Sequence, residues 1–318
     1  MDALSDVLKA IRLEGALYLN AEFTAPWCMR GKYGMTSVKA RLAGAEHVVF
    51  FHFLVEGRAK VRLAEGGEVI DVAAGDLILF PQDDRHLMGS DLHVAPLAAE
   101  NIGAGYTGLT DMSHGGGGEA TRFVCGYLAC SRALMRPLLD SLPRVVRIPI
   151  GDGPASALLR ELLRSGVRES SAPRAGTKSM LAKLAELLFV EALRRYAETL
   201  PPEGRGWLAG ARDAHVGRAL ALMHAEPGKA WTVDDLAREA AISRSALGDR
   251  FTALVGEPPM QYLMRWRLAL AAQTLRSGKE AISRIAARSG YDSEAAFSRA
   301  FKREFGVPPA AWRKHIGN

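Results

Sequence analysis

The segment Ile285–Arg313 reads IAARSGYDSEAAFSRAFKREFGVPPAAWR, and a closely similar pattern, LAREAAISRSALGDRFTALVGEPPMQY, occupies residues 236–262. From Ser243 and Ser293 onward, matching positions are offset by 50 residues. Upstream the offset is 49, because the second copy has one extra residue in its turn, near Gly290. The matched pairs are Leu236/Ile285, Ala237/Ala286, Ser243/Ser293, Leu247/Phe297, Phe251/Phe301, Gly256/Gly306, Pro258/Pro308, Pro259/Pro309 and Tyr262/Trp312. Matches at constant spacing indicate a duplicated structural unit.

Each copy predicts a helix-turn-helix. Ala237 and Ala286 are small residues where a second helix can approach closely, and Ser243 and Ser293 are suited to cap the helix that follows the turn. In that second helix, here called the reading helix, apolar residues recur every four positions and therefore face the core. Its opposite face fits the major groove of DNA. The predicted DNA-contacting residues are Arg244, Ser245, Gly248, Asp249 and Arg250 in the first copy, and Glu294, Ala295, Ser298, Arg299 and Lys302 in the second.

A long helix is predicted between the two copies over Met260–Arg276, with Leu263, Trp266 and Leu270 as its buried stripe. It would fix the distance between the reading helices, so that they enter successive major grooves about 34 Å apart. The distribution of charge agrees with this prediction. Residues 1–210 carry 24 Lys+Arg and 24 Asp+Glu, whereas residues 211–318 carry 17 and 11. The whole net charge of +6 lies in the last third of the chain, which favours a polyanion as partner.

These motifs resemble the AraC/XylS family of transcription regulators. The resemblance rests on WTVDDLAREAAISRSALGDRF at 231–251, GEPPMQYLMRWRLALAAQTL at 256–275 and the segment 285–313. It implies a DNA-binding domain with two helix-turn-helix units that controls nearby promoters. Double-stranded promoter DNA is then the expected partner, and RNA polymerase is a further partner if the protein is an activator. Full-length members of the family usually carry a separate ligand-sensing or dimerisation domain.

Residues 1–150 predict β-structure. Short apolar or alternating runs, such as His47–Val55, Ala59–Leu63 and Asp76–Phe80, are separated by Gly and Pro, which is typical of a sandwich or barrel. The glycine-rich stretch Ser113–Gly118 lacks the lysine and the helix of a phosphate-binding loop, so it is predicted to be a flexible loop.

This part of the chain resembles a cupin barrel of the kind fused to AraC-type domains. The second cupin motif is present as GDLILFPQDDRH at 75–86, which places His86 at the family's metal-ligand position. The first motif is partial, HFLVEG at 52–57. The family pattern has another histidine two residues before His52, where this chain has Phe50.

Three kinds of signal remain open for such a sensor. His52 and Glu56 are predicted to share one face of a strand and, with His86, to form part of a metal site. Cys125 would replace the missing histidine as a soft ligand, a set that suits zinc or copper as cofactor. Cys125 with Cys28 is instead a candidate for thiol-based redox sensing. The third alternative is an organic effector in an apolar interior.

Residues 154–200 predict two helices separated by a turn-rich break at 168–176. Such helices either form a homodimer surface or pack on the barrel, and the sequence leaves both open. The predicted fold class is multidomain α and β: a cupin-like sensor barrel at 1–150, a helical connector or dimerisation segment at 151–206, and an all-α DNA-binding domain with two helix-turn-helix units at 211–318.

The composition excludes several classes of protein. With 48% hydrophobic and 24% charged residues, the chain is of ordinary globular type, and no run approaches the roughly 18 apolar residues of a membrane span. Three cysteines do not make a disulfide framework, so a cytoplasmic, nucleoid-associated protein without a membrane partner is expected. No catalytic residues are predicted and an enzyme is not expected. The alternative, a cupin-type metal-dependent enzyme with an accessory helical domain, lacks the histidine at position 50.

Overall fold

The computed structural model describes residues 2–11, 13–31, 46–98, 109–150, 153–170, 175–201 and 203–314. Its strands are β1 (Glu14–Thr24), β2 (Cys28–Gly31), β3 (His47–Glu56), β4 (Arg58–Leu63), β5 (Ile70–Ala73), β6 (Asp76–Phe80), β7 (His86–Gly89), β8 (Leu97–Ala98), β9 (Thr110–Gly115), β10 (Ala120–Cys130) and β11 (Val146–Pro149). Its helices are α1 (Ala3–Ile11), α2 (Arg132–Leu139), α3 (Pro154–Ser170), α4 (Thr177–Thr199), α5 (Trp207–Arg212), α6 (Ala214–Ala225), α7 (Val233–Glu239), α8 (Arg244–Val255), α9 (Pro259–Ser277), α10 (Ile282–Arg288), α11 (Glu294–Phe305) and α12 (Pro309–Lys314). None of the described helices is long and apolar enough to cross a membrane.

The chain packs into two compact units. The β unit consists of Leu13–Cys130 and Leu142–Thr199, and the helical unit consists of Met1–Arg12, Ser131–Ser141 and Leu200–Asn318. Helices α1 and α2 therefore belong with the C-terminal helices, although both lie within the first 150 residues. This grouping follows packing rather than sequence order, and the three-part division predicted from the sequence stays a prediction.

The β unit contains two sheets. The six-stranded sheet has the order β11-β6-β3-β10-β1-β9, and the five-stranded sheet has the order β5-β4-β7-β2-β8. The predicted fold class is confirmed, with two separate sheets in place of one closed barrel. The prediction of a flexible loop at Ser113–Gly118 is wrong for its first half. Residues up to Gly115 form β9, because their backbone pairs in parallel with β1.

Strand β3 lies in the middle of the six-stranded sheet, between β6 and β10. Seven of the ten residues in its sequence HVVFFHFLVE are apolar, and eight of the ten are buried. A short continuous apolar run is typical of a strand covered on both faces. Side chains from β3 and its two neighbours, including Phe50, Phe80 and Phe123, belong to one core cluster that also contains Cys125.

Helix α4 packs against β1 at Gly15. A Cβ on that residue would lie 2.6 Å from the carbonyl oxygen of Ala182 and 2.9 Å from the Cβ of Ala185. Only glycine permits so close an approach of helix and strand. The two helices predicted for residues 154–200 are present as α3 and α4, and α4 covers the sheet.

Serine side chains cap the N-termini of both reading helices, α8 and α11, as predicted. Ser243 and Ser293 each accept a hydrogen bond from the backbone N–H three residues further on, at 3.2 Å. Each bond satisfies one of the free N–H groups at a helix start. Both helices end at a glycine in the left-handed region, Gly256 with φ 89° and Gly306 with φ 79°. The extra residue of the second turn, Gly290, also has a positive φ, 77°.

Candidate nucleic-acid interface and interior polar cluster

The reading helices α8 and α11 each bury an apolar stripe and expose the opposite face. The buried residues are Leu247 and Phe251 in α8, and Phe297 and Phe301 in α11, all fully buried. The predicted DNA-contacting residues lie away from these stripes and are exposed or partly exposed. They are Arg244, Ser245, Gly248, Asp249 and Arg250, and Glu294, Ala295, Ser298, Arg299 and Lys302.

The positively charged side chains of α8 and α11 differ in whether they form ion pairs with carboxylates. In α8, Arg244 Nη1 lies 3.0 Å from Asp234 Oδ2, and Arg250 Nε lies 2.8 Å from Asp213 Oδ2. Two of the predicted contacts are thus engaged with carboxylates. In α11, Arg299 and Lys302 are exposed and form no ion pair within the described part of the chain. The second reading helix therefore offers the freer positive charge.

Asp213 links the start of helix α6 to α8. Its carboxylate accepts from the backbone N–H groups of His215 and Val216, which caps α6, and it also accepts from Arg250. Partial burial raises the pKa of Asp213, but the hydrogen bonds from Arg250 and the backbone outweigh burial and lower the pKa below its usual value. Arg250 is therefore a structural partner of the capping carboxylate as well as a predicted DNA contact.

The predicted long helix between the copies is α9. Leu263 and Trp266 are buried, as predicted, and Leu270 is partly buried. Near its start, the Tyr262 hydroxyl accepts from Trp207 Nε1 at 2.8 Å and lies 2.7 Å from His224 Nε2. These bonds fix the start of α9 against α5 and α6.

The β unit contains a buried chain of polar side chains centred on His52. His52 Nδ1 lies 2.8 Å from Cys125 Sγ, and His52 Nε2 lies 2.8 Å from His86 Nε2. His86 Nδ1 lies 3.0 Å from the carbonyl oxygen of Asp84. All three side chains are essentially inaccessible to solvent.

The carbonyl oxygen of Asp84, at the end of this chain, determines which atom donates in each hydrogen bond. A carbonyl oxygen can only accept, so His86 Nδ1 carries a proton and donates to Asp84, and the Nε2 of a neutral His86 must accept. His52 Nε2 therefore donates to His86, and His52 Nδ1 accepts from the Cys125 thiol. Burial lowers the pKa of His52 well below its ordinary value and lowers that of His86 to about 4, which keeps both rings neutral.

Burial also raises the pKa of the Cys125 thiol, and a hydrogen bond from Tyr18 opposes that effect. Tyr18 was not singled out in the sequence analysis. It is the additional residue of an irregularity in β1, where the register with β10 shifts between Leu17 and Leu19. Gly31 was also missed. A Cβ there would collide with the imidazole of His86, which stacks on Phe80 with the ring centres 3.6 Å apart.

The prediction that Glu56 shares this site is wrong. The pairing of β3 with β10 shifts between Arg122 and Phe123, so the strict alternation that would place Glu56 beside His52 is broken. Glu56 is exposed and its Oε2 lies 3.3 Å from Arg122 Nη1.

The predicted metal set of His52, Glu56, His86 and Cys125 is not assembled. His52 uses opposite ring nitrogens for Cys125 and for His86, so one ion cannot bind all three side chains at ordinary ligand distances. Within the described ranges, no group of three His, Cys, Asp or Glu residues is arranged to hold a metal ion. A zinc or copper site would require these side chains to rearrange.

The predicted redox pair, Cys28 and Cys125, is not joined by a disulfide bond. Cys28, Cys125 and Cys130 are all buried, and none of them forms a disulfide. Cys28 lies on β2 in the five-stranded sheet, whereas Cys125 lies on β10 in the six-stranded sheet. Burial is the main cause that raises the pKa of the Cys28 thiol. Neither thiol has the environment of a ready thiolate.

Two helix-turn-helix units, joined by one long helix and each exposing a polar reading face, define a class of DNA-binding proteins. A Cupin family model matches residues 2–198, and a Helix-turn-helix domain model matches residues 236–315. The chain belongs to the AraC family of transcription regulators and carries a cupin domain at its N-terminal side.

A putative AraC-like transcription regulator of Streptomyces lividans is 34% identical over 317 residues, which is 99% of each chain. The HTH-type transcriptional regulator AlkR of Acinetobacter baylyi is 30% identical over 99% of each chain. A solved AraC-type transcriptional regulator from Chromobacterium violaceum covers 33% of this chain and 93% of its own, with 27% identity and a TM-score of 0.32. Membership of the AraC family, shown by the relative from Streptomyces lividans and by the helix-turn-helix model, makes the protein a transcription regulator that binds double-stranded DNA.

Proposed function

We propose that the protein binds specific double-stranded DNA sequences through α8 and α11, and that a molecule bound inside the β unit controls this binding. The exposed face of α11 carries the first part of the proposal. Phe297 and Phe301 fix the orientation of the helix in the core, and Arg299 and Lys302 are left free of ion pairs with described residues. Such side chains donate to phosphates and to base edges in the major groove.

The test is fluorescence anisotropy with a duplex that the protein itself selects from a randomised pool. The expected affinity for that duplex exceeds the affinity for a scrambled duplex by at least about tenfold at roughly 0.15 M salt. The logarithm of the affinity should fall linearly with the logarithm of the salt concentration. Selection of no common sequence, or equal affinity for both duplexes, would refute specific binding.

The effector favoured by the β unit is a small, largely apolar molecule with one hydrogen-bond acceptor. The rings of Trp27 and Phe123 stack with centres 5.6 Å apart, and Phe23 packs edge-on against Trp27 at 4.9 Å. The Trp27 indole N–H is buried and has no acceptor among the described residues. A buried donor without a partner is destabilising, and a bound molecule or water satisfies it. The ring nitrogens of His52 and His86, in contrast, all have partners.

Thermal unfolding with two matched probe sets tests this effector class. The probes are short aliphatic esters, which carry an acceptor, and alkanes of the same length, which do not. Ligands that bind the folded state raise the unfolding temperature. The esters should raise it more than the alkanes, and Trp27→Phe should abolish the difference. Esters and alkanes that act alike on the wild type would contradict the proposal.

Metal analysis and oxidation of the same preparation test the two alternative signals. Near one zinc or copper ion per chain, lost in both His52→Ala and Cys125→Ser, would replace the organic effector by metal sensing. Reversible oxidation of Cys125 that changes DNA affinity, and that Cys125→Ser abolishes, would replace it by redox sensing.

The regulator is also proposed to act as a homodimer through α3 and α4. Leu158 and Leu162 lie one turn apart on α3 and are 62% and 39% exposed, and Leu187 on α4 is 53% exposed. Large exposed apolar side chains in one stripe are typical of an interaction surface. Glu161 and Arg164, on the exposed side of the same helix, form an ion pair with each other, with Nη1 and Oε2 3.9 Å apart. The proposed contact between subunits therefore rests on the leucines and not on these charges.

A further inference from the structure

Within the described part of the chain, nothing in the surroundings of Gly248 requires a glycine. Three glycines lie inside the described helices of the helical unit: Gly210, Gly217 and Gly248. A Cβ on Gly210 would lie 3.0 Å from Val255 Cγ2, and one on Gly217 would lie 2.5 Å from the carbonyl oxygen of Ala211. A Cβ on Gly248 would meet no atom of the described residues within 4 Å. Glycine destabilises a helix interior relative to alanine, so its presence there needs another explanation.

The backbone conformation does not supply that explanation. Gly248 is not among the glycines with positive φ, and it lies in the middle of α8, four residues after the helix begins. Its carbonyl oxygen accepts from Thr252 Oγ1 at 2.7 Å, an ordinary bond from one turn further along the helix. An alanine could adopt the same conformation and keep the same bond.

The surroundings of Gly248 form a smooth strip on the reading face. Ser245 lies three residues before it and Thr252 four residues after it, so the three residues lie along one side of the helix. The long cations near the strip are engaged: Arg244 pairs with a carboxylate of α7, and Arg250 pairs with the cap of α6. No long, free cation extends from this part of α8.

The second reading helix has a different surface at the matched positions. Fifty residues on, Gly248 corresponds to Ser298, Asp249 to Arg299 and Thr252 to Lys302. Helix α11 can reach DNA with long side chains, whereas α8 must come closer to make contact. The two reading helices would therefore differ in how near their backbones lie to the major groove of DNA.

We propose that Gly248 is the point of closest approach between α8 and the major groove, where the missing Cβ lets the helix backbone pack against a base edge. This makes position 248 a determinant of sequence specificity for the half-site read by α8. The inference rests on the proposed DNA binding by the two reading helices, and it deepens that proposal by dividing the recognition between them.

The test is Gly248→Ala in the full-length protein, with thermal unfolding and DNA binding measured on the same preparation. The melting temperature should rise, because alanine favours the helix and the new methyl group meets open space. The dissociation constant for the selected duplex should nevertheless increase by at least about fivefold. Sequences selected by the variant should change in one half-site and be retained in the other.

A matched control separates helix stability from contact with DNA. Ala253 is exposed on the same helix, five residues further on and about 140° around it. Ala253→Gly should lower the melting temperature and leave the dissociation constant within about twofold of the wild type.

Two results would overturn the inference. A Gly248→Ala variant that melts higher and binds the selected duplex as tightly as the wild type would show that no DNA lies close to this position. A lower melting temperature would show that the chain itself requires the glycine. Failure of the proposed function differs from both results, because the wild-type protein would then select no sequence, and the inference would fall with it.

Discussion

His52 Nδ1 lies 2.8 Å from Cys125 Sγ, between residues that sit directly opposite each other on β3 and β10. The other nitrogen of the same ring reaches His86 on β7, which belongs to the five-stranded sheet. One imidazole thus connects the two sheets through the interior of the β unit. The two sheets are therefore joined in the interior by hydrogen-bonded side chains as well as by apolar packing.

Replacing the Cys125 thiol should show whether the hydrogen bond to His52 contributes to stability. Cys125→Ala leaves the buried His52 Nδ1 without a donor, and we expect a loss of about 1–3 kcal/mol in the free energy of unfolding. Cys125→Ser keeps a donor and should lose less. Urea-induced unfolding followed by circular dichroism measures the difference. Cys130→Ala is the control, since the thiol of Cys130 is also buried on β10 and donates to a backbone carbonyl oxygen, that of His47, over a longer distance of 3.8 Å. Equal losses for serine and alanine would contradict the assignment of the thiol as donor.

The stability of the β unit should fall as the pH is lowered from neutrality. His86 has a pKa of about 4 in the folded protein, against 6.5 as its ordinary value. Between these pH values the unfolded chain binds a proton that the folded chain does not. The free energy of unfolding therefore decreases as the pH falls. The full contribution of neutral His86 to the free energy of unfolding is present above pH 6.5. The loss of this contribution reaches on the order of 3 kcal/mol near pH 4.

His86→Gln should flatten this pH dependence, although it lowers stability at neutral pH. The measurement is the urea midpoint at several pH values between 4 and 7. His93→Gln is a suitable control, because His93 is exposed. His52, which donates to His86, titrates in the same direction and accounts for slope that remains. A slope unchanged by His86→Gln would rule out His86 as its source.

The matched positions Asp249 and Arg299 should respond in opposite directions when their charges are removed. Asp249→Asn removes a carboxylate that repels phosphate, and we expect a several-fold gain in affinity for any duplex, diminishing as salt is raised. Arg299→Ala should weaken binding of the selected duplex by about 1–3 kcal/mol and relax its sequence preference. Anisotropy titrations at three salt concentrations measure both effects. Loss of affinity in both variants would indicate that α8 does not face DNA as proposed.

The exposed leucines of α3 should decide the oligomeric state. The double variant Leu158→Glu, Leu162→Glu places charges in an apolar stripe and should convert a dimer to a monomer in sedimentation velocity. Val69→Glu is the matched control, because Val69 is also an apolar residue, 43% exposed, in the same unit but outside this stripe. A dimer that survives the double substitution would place the contact between subunits elsewhere.

The features that the sequence predicted well are local ones. The capping serines and the apolar spacing of four in both reading helices each depend on a few neighbouring residues, and the structure contains them at the predicted positions. The duplication strengthened these predictions, because each copy supports the interpretation of the other. The structure brings His86 and Cys125 within hydrogen-bond distance of His52, and a role for the three residues in sensing stays a prediction.

The features that the sequence missed depend on partners distant along the chain. Strict alternation placed Glu56 beside His52, but Val55 is an extra residue on β3 where the pairing with β10 shifts, between Leu54 and Glu56. The predicted ligand set failed because nothing in the residue types shows that His52 would use both ring nitrogens for different neighbours. Likewise, Gly31 is required by the ring of His86, which is 55 residues away in sequence.

The helical unit is assembled from three stretches of chain, and this sets an order of events during synthesis. Helix α1 buries Ala3, Val7 and Ile11, and Gln273 Nε2 donates to the carbonyl oxygen of Ala10 at 3.1 Å. The helices that complete this packing leave the ribosome more than two hundred residues after α1 does. The apolar face of α1 therefore remains without its final partners until almost the whole chain has been translated, and a C-terminal fragment made alone would expose the surface that α1 normally covers.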